Sequence, residues 1–195
     1  YARVSKSGAP GYLTAGGPYA LWCEDEATLY IGFGSPPYTD SDIWLDMNMT
    51  LHNITNRWIG ELNYKSSPTN AYSYPVWTKD NNNIVRINCT KVVFTSTFAQ
   101  MAKGMVMHYW FHNFSKLTTV EGFENVELAY FNSNAYGMFR DCSKLTSITL
   151  PATIREISGD MFSYCGFTAF NVPAGVTTIG YEALVGLKSL PAFTD

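Results

Sequence analysis

Charge is what this chain has least of. Only 15% of its 195 residues are Asp, Glu, Lys or Arg, and the net charge is −3. With no run of Lys or Arg, nothing builds the basic stripe that a phosphate backbone requires, which argues against nucleic acid as a partner. Nor does any apolar stretch approach the ~20 residues needed to cross a bilayer. No Gly-x-Ser-x-Gly elbow and no P-loop string occurs. The chain opens at Tyr1 without an initiator Met or an apolar signal core, so an export signal, and any lipid or tether anchor, is expected upstream of this numbering. What is present is 46% hydrophobic residues, enough to exclude a disordered chain and to build one or two folded domains. Ser, Thr, Asn and Tyr supply the polarity that charge does not, a balance found in extracellular proteins.

The chain repeats itself. "MFRDCSKLTSITLPATIREI" (138–157) returns as "MFSYCGFTAFNVPAGVTTIG" (161–180), pairing Phe139 with Phe162, Cys142 with Cys165, Leu150 with Val172, Pro151 with Pro173 and Ile157 with Ile179. The period is about 22 to 23 residues. A decayed copy follows in "ALVGLKSLP", with Leu184, Leu187 and Leu190 in the Phe, Cys and Leu places. Another precedes in "WFHNFSKLTTVEGF", with Phe111, Phe114 and Leu117. Units this short cannot bury their own apolar residues, so each must stack on its neighbours to form a solenoid. "TSITLP" alternates Ile148 and Leu150 with Ser147 and Thr149 as a short strand, stopped by Pro151. "GDMFSYC" and "GYEALVGL" read as one short helical turn each.

The run Phe, two residues, Cys-Ser-Lys-Leu-Thr, then "ITLP" and "IREI", resembles the BspA-like leucine-rich repeats of bacterial surface proteins. "YALWCEDEATLYIGFG", "KVVFTSTF" and "YWFHNFSKLTTVEGFENV" are similar to the segment that leads into those repeats. The likeness covers about Tyr19–Gly34 and Val92–Leu190. It implies an α/β fold class, a short leucine-rich-repeat solenoid with a β-rich N-terminal capping unit. It also implies an exported, non-enzymatic bacterial surface protein that attaches to host or cell-surface proteins or glycans. Gly166 departs from the pattern by standing where Ser-Lys follows the first Cys, and the last copy has no Cys.

Ahead of the repeats, 1–18 reads as a flexible tether, dense in Gly and Pro. Residues 19–98 read as a β-rich cap with an insert at 35–86, and 99–195 as the repeats. "YALWC" and "TLYIGF" flank the acidic turn Glu24-Asp25-Glu26 as a hairpin. Ile43, Leu45, Met47, Met49 and Leu51 alternate over one long strand, and Val85, Ile87 and Cys89 alternate again. Such a unit would shield the open apolar end of the first repeat.

Few residues here suggest chemistry. His108 and His112 have the spacing of a helical metal pair, but no Glu follows the first, and the expected role is structural. Asp40, Asp42 and Asp46 fail as a calcium loop because Leu45 and Leu51 stand where Gly and Glu are needed. "GFGSPP" lacks the helix start a dinucleotide loop requires and reads as a turn. No metal and no cofactor is expected. Cys142 and Cys165, equivalent in adjacent turns, point the same way and are expected as buried thiols. Cys23 and Cys89 both fall in the cap, where a bond between them is permitted in an exported protein but not required. Tyr72 and Tyr74, on one face of an extended segment, with Trp77 close by, are the candidate ligand-binding residues; the alternative is that they pack as the core of the insert.

These readings converge on a cell-surface adhesion or binding module whose ligand is a protein or glycan. A structural spacer carrying another domain is the first rival and predicts a bland polar solenoid face. A glycan-acting enzyme is the second, requiring paired carboxylates drawn from Glu61 and the Asp40–Asp46 group.

Overall fold

The computed structural model describes residues 17–24, 26–34, 42–45, 51–52, 76–79, 84–98, 107–126, 135–168, 170–187 and 192–193. Strand β1 (Gly17–Cys23) and strand β2 (Thr28–Gly34) form the expected antiparallel hairpin, in register from Cys23 opposite Thr28 to Gly17 opposite Gly34. Its turn is closed by Ala27 N–H donating to Glu24 O at 3.1 Å, with Ala27 in the left-handed region.

Beyond β1 the sheet continues antiparallel through β3 (Asp42–Leu45) and β4 (Leu51–His52), with Trp44 opposite His52 and Leu45 opposite Leu51. The single long strand expected over Ile43–Leu51 is therefore two short strands paired with each other. Alternation alone cannot locate a reversal inside an alternating run.

On its other side β2 takes β5 (Lys91–Phe94) in parallel, and β5 takes β6 (Thr119–Glu121) in parallel. A parallel pair needs a long crossover, and the chain between Gly34 and Lys91 supplies it. That crossover includes two single-turn helices, α1 (Val76–Lys79) and α2 (Ile84–Asn88). The strand expected through Val85, Ile87 and Cys89 is thus helical at its start: Cys89 N–H reaches Val85 O at 2.8 Å, and Val85 and Cys89 share the buried face while Ile87 is exposed. A four-residue spacing was hidden in a two-residue alternation. Besides α1 and α2 the described residues include the 3-10 turn Phe123–Asn125, and they are built from strands and turns more than the α/β class implies.

The repeats stack in register. Tyr109, Phe111 and Asn113 donate backbone N–H to the carbonyls of Tyr136, Met138 and Arg140. Gly137, Phe139 and Asp141 donate to Gly159, Met161 and Ser163, and Asp160, Phe162 and Tyr164 to Tyr181, Ala183 and Val185, all at 2.8 to 3.0 Å. The intervening N–H groups close tight turns within each copy, as in Met161 to Ser158 and Ser163 to Asp160. Where short helical turns were expected, alternate donors leave the turn instead of folding back. The backbone achieves this with two left-handed residues per copy: Tyr109 and Asn113, Gly137 and Asp141, Asp160 and Tyr164, Glu182 and Gly186.

Side chains follow the same register. Phe111, Phe139 and Phe162 stack face to face, with centroids 5.1 Å and 5.7 Å apart and planes inclined by 21° and 10°. Such pairs add roughly 0.5–1.5 kcal/mol each beyond the area they bury. Around them one apolar core runs from Ala20, Trp22 and Ile31 through Phe94 and Phe123 to Phe170, Val172 and Ala183. On the far side of the repeats, two short parallel pairs complete the ladder: β7 (Glu156–Ile157) with β9 (Thr178–Ile179), and β8 (Asn171–Val172) with β10 (Ala192–Phe193). In "TSITLP" no strand forms, although Leu150 is buried and Ser147 and Thr149 are exposed as the alternation predicts.

Three joints between copies depend on the absence of a side chain. A Cβ at Gly137 would lie 2.4 Å from the Tyr109 ring, one at Gly186 would lie 2.4 Å from the Tyr164 ring, and one at Gly159 would lie 2.7 Å from the Tyr136 ring. Each tyrosine lies over the backbone of the following turn. Gly137 and Gly186 are also left-handed, at φ 60° and 72°, where a side chain is strained in any case.

Candidate functional site

Of the three aromatic residues proposed to bind ligand, Tyr72 and Tyr74 lie outside the described residues. Trp77 does not present a face to solvent. It is wholly buried, sits edge-on against Trp110 with centroids 5.5 Å apart, and its indole N–H donates to Trp110 O. The stack explains why: Trp110 occupies the place of Met138 in the next copy, whose carbonyl takes the Phe111 N–H. No described turn precedes the first copy, and the Trp77 indole supplies the donor there. Trp77 belongs to the packing of the first turn, not to a recognition surface.

The histidine pair has a comparable fate. His108 Nδ1 accepts the Tyr136 N–H at 3.0 Å, and His112 Nε2 lies 3.2 Å from Asp141 Oδ2, so both rings join the first copy to the second. Burial pushes both imidazoles below their ordinary pKa; for His112 the Asp141 carboxylate pulls the other way. No group of three His, Cys, Asp or Glu able to hold a metal occurs among the described residues. Asp42 begins β3, while Asp40, Asp46 and Glu61 lie outside the described residues, and of "GFGSPP" only Gly32–Gly34 are described, as the end of β2.

The four cysteines are buried thiols, and no disulfide joins Cys23 to Cys89. Cys142 and Cys165 are more than apolar spacers. Each S–H donates to the carbonyl of the preceding copy's phenylalanine, Cys142 to Phe111 O at 3.1 Å and Cys165 to Phe139 O at 3.2 Å. Burial raises the Cys165 and Cys89 thiols to about 12 and Cys142 well above its usual value.

A polar seam crosses the stacked copies. From His112 it passes to Asp141, then to Arg140, whose Nε is 3.5 Å from Asp141 Oδ2 and whose Nη1 donates to the buried Asp160 Oδ2 at 2.6 Å. Ser163 Oγ lies 3.0 Å from Asp160 Oδ1 and 2.5 Å from Glu182 O. A buried carboxylate is tolerable only when its lone pairs are filled in this way. Among the described residues no histidine attends Ser163: the seam's histidine, His112, lies on Asp141, and the Asp160 carboxylate beside Ser163 is held by Arg140.

The strand side is polar and self-satisfied. Exposed residues here are Thr118, Thr119, Thr146, Ser147, Thr149, Thr168, Asn171, Thr177 and Thr178. Several hydroxyls are already committed to the preceding copy, Thr118 to Thr90 O at 3.2 Å and Thr177 to Arg155 O at 3.1 Å.

The last described turn differs. Tyr181 is 75% exposed, Ile179 43% and Val185 38%, while Leu184 and Leu187 are only partly buried; Tyr164 of the preceding copy, whose ring lies over Gly186, is 50% exposed. Their counterparts one copy earlier, Ile157, Phe162 and Cys165, are buried. The final copy stays apolar, with Leu184 and Leu187 where Phe162 and Cys165 stand, but no described turn lies on top of it. Tyr181 stands where the preceding copy has Gly159, and its hydroxyl bonds the Glu182 carboxylate, which raises its pKa. Sequence reasoning missed this patch. The available signal was the loss of Phe and Cys from the final copy, together with a tyrosine in a glycine position.

A family model described as "BspA type Leucine rich repeat region" matches in six copies over residues 88–191. No curated protein and no solved structure matches the chain.

Proposed function

The chain belongs to the BspA-type leucine-rich repeat family, and from that premise we propose that it is a non-enzymatic binding module displayed at the cell surface. It attaches to protein or glycan partners there. The observation that carries this reading is the cluster of Tyr164, Ile179, Tyr181 and Val185 left exposed at the end of the stack. Stiff aromatic rings beside aliphatic side chains give large contact area for little rotamer entropy, the usual makeup of a recognition hot spot. Among the described residues no helix is long and apolar enough to cross a membrane. Display therefore rests on export and on attachment through sequence outside the described residues.

The spacer reading has its own support in the Thr- and Ser-covered strand side, whose hydroxyls bond the preceding copy. A binding screen separates the two. The purified chain and a Tyr164→Ser/Tyr181→Ser variant, both confirmed folded, are applied to glycan and extracellular-matrix arrays. Binding lost in the variant is the expected result. Equal binding by both would move recognition to the strand side or to 35–86, and no binding by either would favour the spacer.

A further inference from the structure

The three joints between copies are closed by different side-chain chemistry. Between the second and third copies it is a guanidinium on a buried carboxylate, Arg140 Nη1 on Asp160 Oδ2 at 2.6 Å, and between the third and fourth a hydroxyl, Ser163 Oγ on Glu182 O. Between the first and second it is a pair of imidazoles, His108 and His112. Imidazole is the side chain whose ordinary titration falls between pH 5 and 8. The two rings differ in what they face. His112 Nε2 meets the Asp141 carboxylate, which can accept a hydrogen bond from a neutral ring protonated at that nitrogen and from the cation alike. His108 Nδ1 meets a donor, the Tyr136 N–H at 3.0 Å, so that nitrogen must offer a lone pair and the proton of the neutral ring sits on Nε2. A second proton, added at Nδ1, sets donor against donor and the bond is lost.

We propose that the joint between the first and second copies is an acid-sensitive hinge, opened by protonation of His108 at Nδ1 while the later joints stay closed. Its surroundings favour the neutral ring. His108 is partly buried, the Tyr136 ring stands edge-on to it with centroids 6.4 Å apart, and among the described residues no charged side chain bonds to it. Burial therefore acts on it unopposed and holds its pKa below the ordinary 6.5. His112 faces the Asp141 carboxylate, the Arg140 and Arg86 guanidinium groups and the Tyr109 ring; the carboxylate favours its protonation and the two cations oppose it. Its bond to Asp141 is available in either state, so the joint stays tied at the polar seam while the His108 side opens. Tyr136 is the residue released, and its carbonyl also takes the Tyr109 N–H at 3.0 Å, so two bonds across the joint depend on its position. In the open joint the ring returns to its ordinary pKa. Opening is thus unaffected above about pH 6.5 and grows as the pH falls below it, by up to about tenfold per pH unit for one proton, until the closed-state value is passed. The hinge needs no ligand and does not depend on the binding reading.

Residue-resolved amide exchange on the whole chain at pH 7 and pH 5, corrected for the intrinsic pH dependence of exchange, tests this. The amides of Tyr109, Phe111 and Tyr136 bond across the first joint, and those of Gly137, Phe139 and Asp141 across the second. The first set is expected to lose protection by roughly 3- to 30-fold between the two pH values, and the second to keep it. In His108→Asn, whose carboxamide oxygen accepts the same N–H without titrating, the first set should hold its protection. In His112→Asn the pH response should remain. The nitrogen-15 chemical shift of His108 Nδ1 in the unsubstituted chain gives a readout that needs no variant to fold: it should be that of an unprotonated ring nitrogen at pH 7 and should move as protection is lost. A protonated Nδ1 at pH 7 would overturn the proposal. So would an equal loss in both sets, which would mean that the whole chain unfolds, or a pH response that survives in His108→Asn.

Discussion

Replacing Trp77 by Phe tests whether the first turn is closed by a side-chain hydrogen bond. Trp22 provides the control, because it is equally buried but its indole N–H has no hydrogen-bond partner. Both substitutions shrink a buried ring by the same atoms, costing about 1 kcal/mol at ~24 cal/mol per Å3 of cavity. Trp77→Phe also strips the donor from Trp110 O, and an orphaned buried acceptor costs about 1–3 kcal/mol more. Trp22→Phe removes a polar group that was unsatisfied to begin with, so it carries no such penalty and relieves a small one. The expected losses are therefore roughly 2–4 kcal/mol for Trp77→Phe and about 1 kcal/mol or less for Trp22→Phe. Urea unfolding followed by circular dichroism measures both, provided the slope m stays constant between variants. If the two variants differ by less than about 0.5 kcal/mol, the indole is not acting as the missing ladder donor.

The thiols and the histidines give two further tests. Burial raises Cys89 and Cys165 to about 12 and Cys142 well above its usual value, and Cys23 is buried as well, so a thiol reagent at pH 8 should label none of the four cysteines in the folded chain and all four in denaturant. Fewer than four without reductant would reveal a disulfide. His108 and His112 both titrate below the ordinary 6.5 when folded, so the unfolded chain takes up protons first as the pH falls. Their contribution to stability is complete above about 6.5 and declines below it towards the folded values. His108→Asn, whose carboxamide oxygen can still accept the Tyr136 N–H, should flatten the fall in unfolding free energy between pH 7 and 5; an unchanged slope would mean that His108 does not contribute.

The sequence disclosed those features that recur with the same chemistry. Phe111, Phe139 and Phe162 align because each fills the same slot in the core, and the cysteine column aligns for the same reason. The left-handed positions recur just as regularly, but Tyr, Gly, Asp and Glu share the first of them. Neighbouring turns hold the backbone there, so composition carries no trace of it. Trp77 was misjudged because its partner, Trp110, is distant in the chain, and an aromatic near a proline looks the same from sequence whether it faces water or core. The exposed end was hidden for the opposite reason: Ile179 repeats the character of Ile157, and only the lack of a described covering turn separates them.

The tyrosine-over-glycine joints bear on how such a chain can change over generations. Tyr109 with Gly137, Tyr136 with Gly159 and Tyr164 with Gly186 each couple one copy to the next, in columns that differ from joint to joint. The unit that must be inherited intact is therefore the seam between two repeats, not the repeat. Duplicating a single copy would set a tyrosine against a residue with a Cβ unless the new neighbour also carried glycine in that column. Lengthening or shortening the array is expected to proceed by blocks that end at compatible seams, and related chains should show these positions varying in pairs about one period apart.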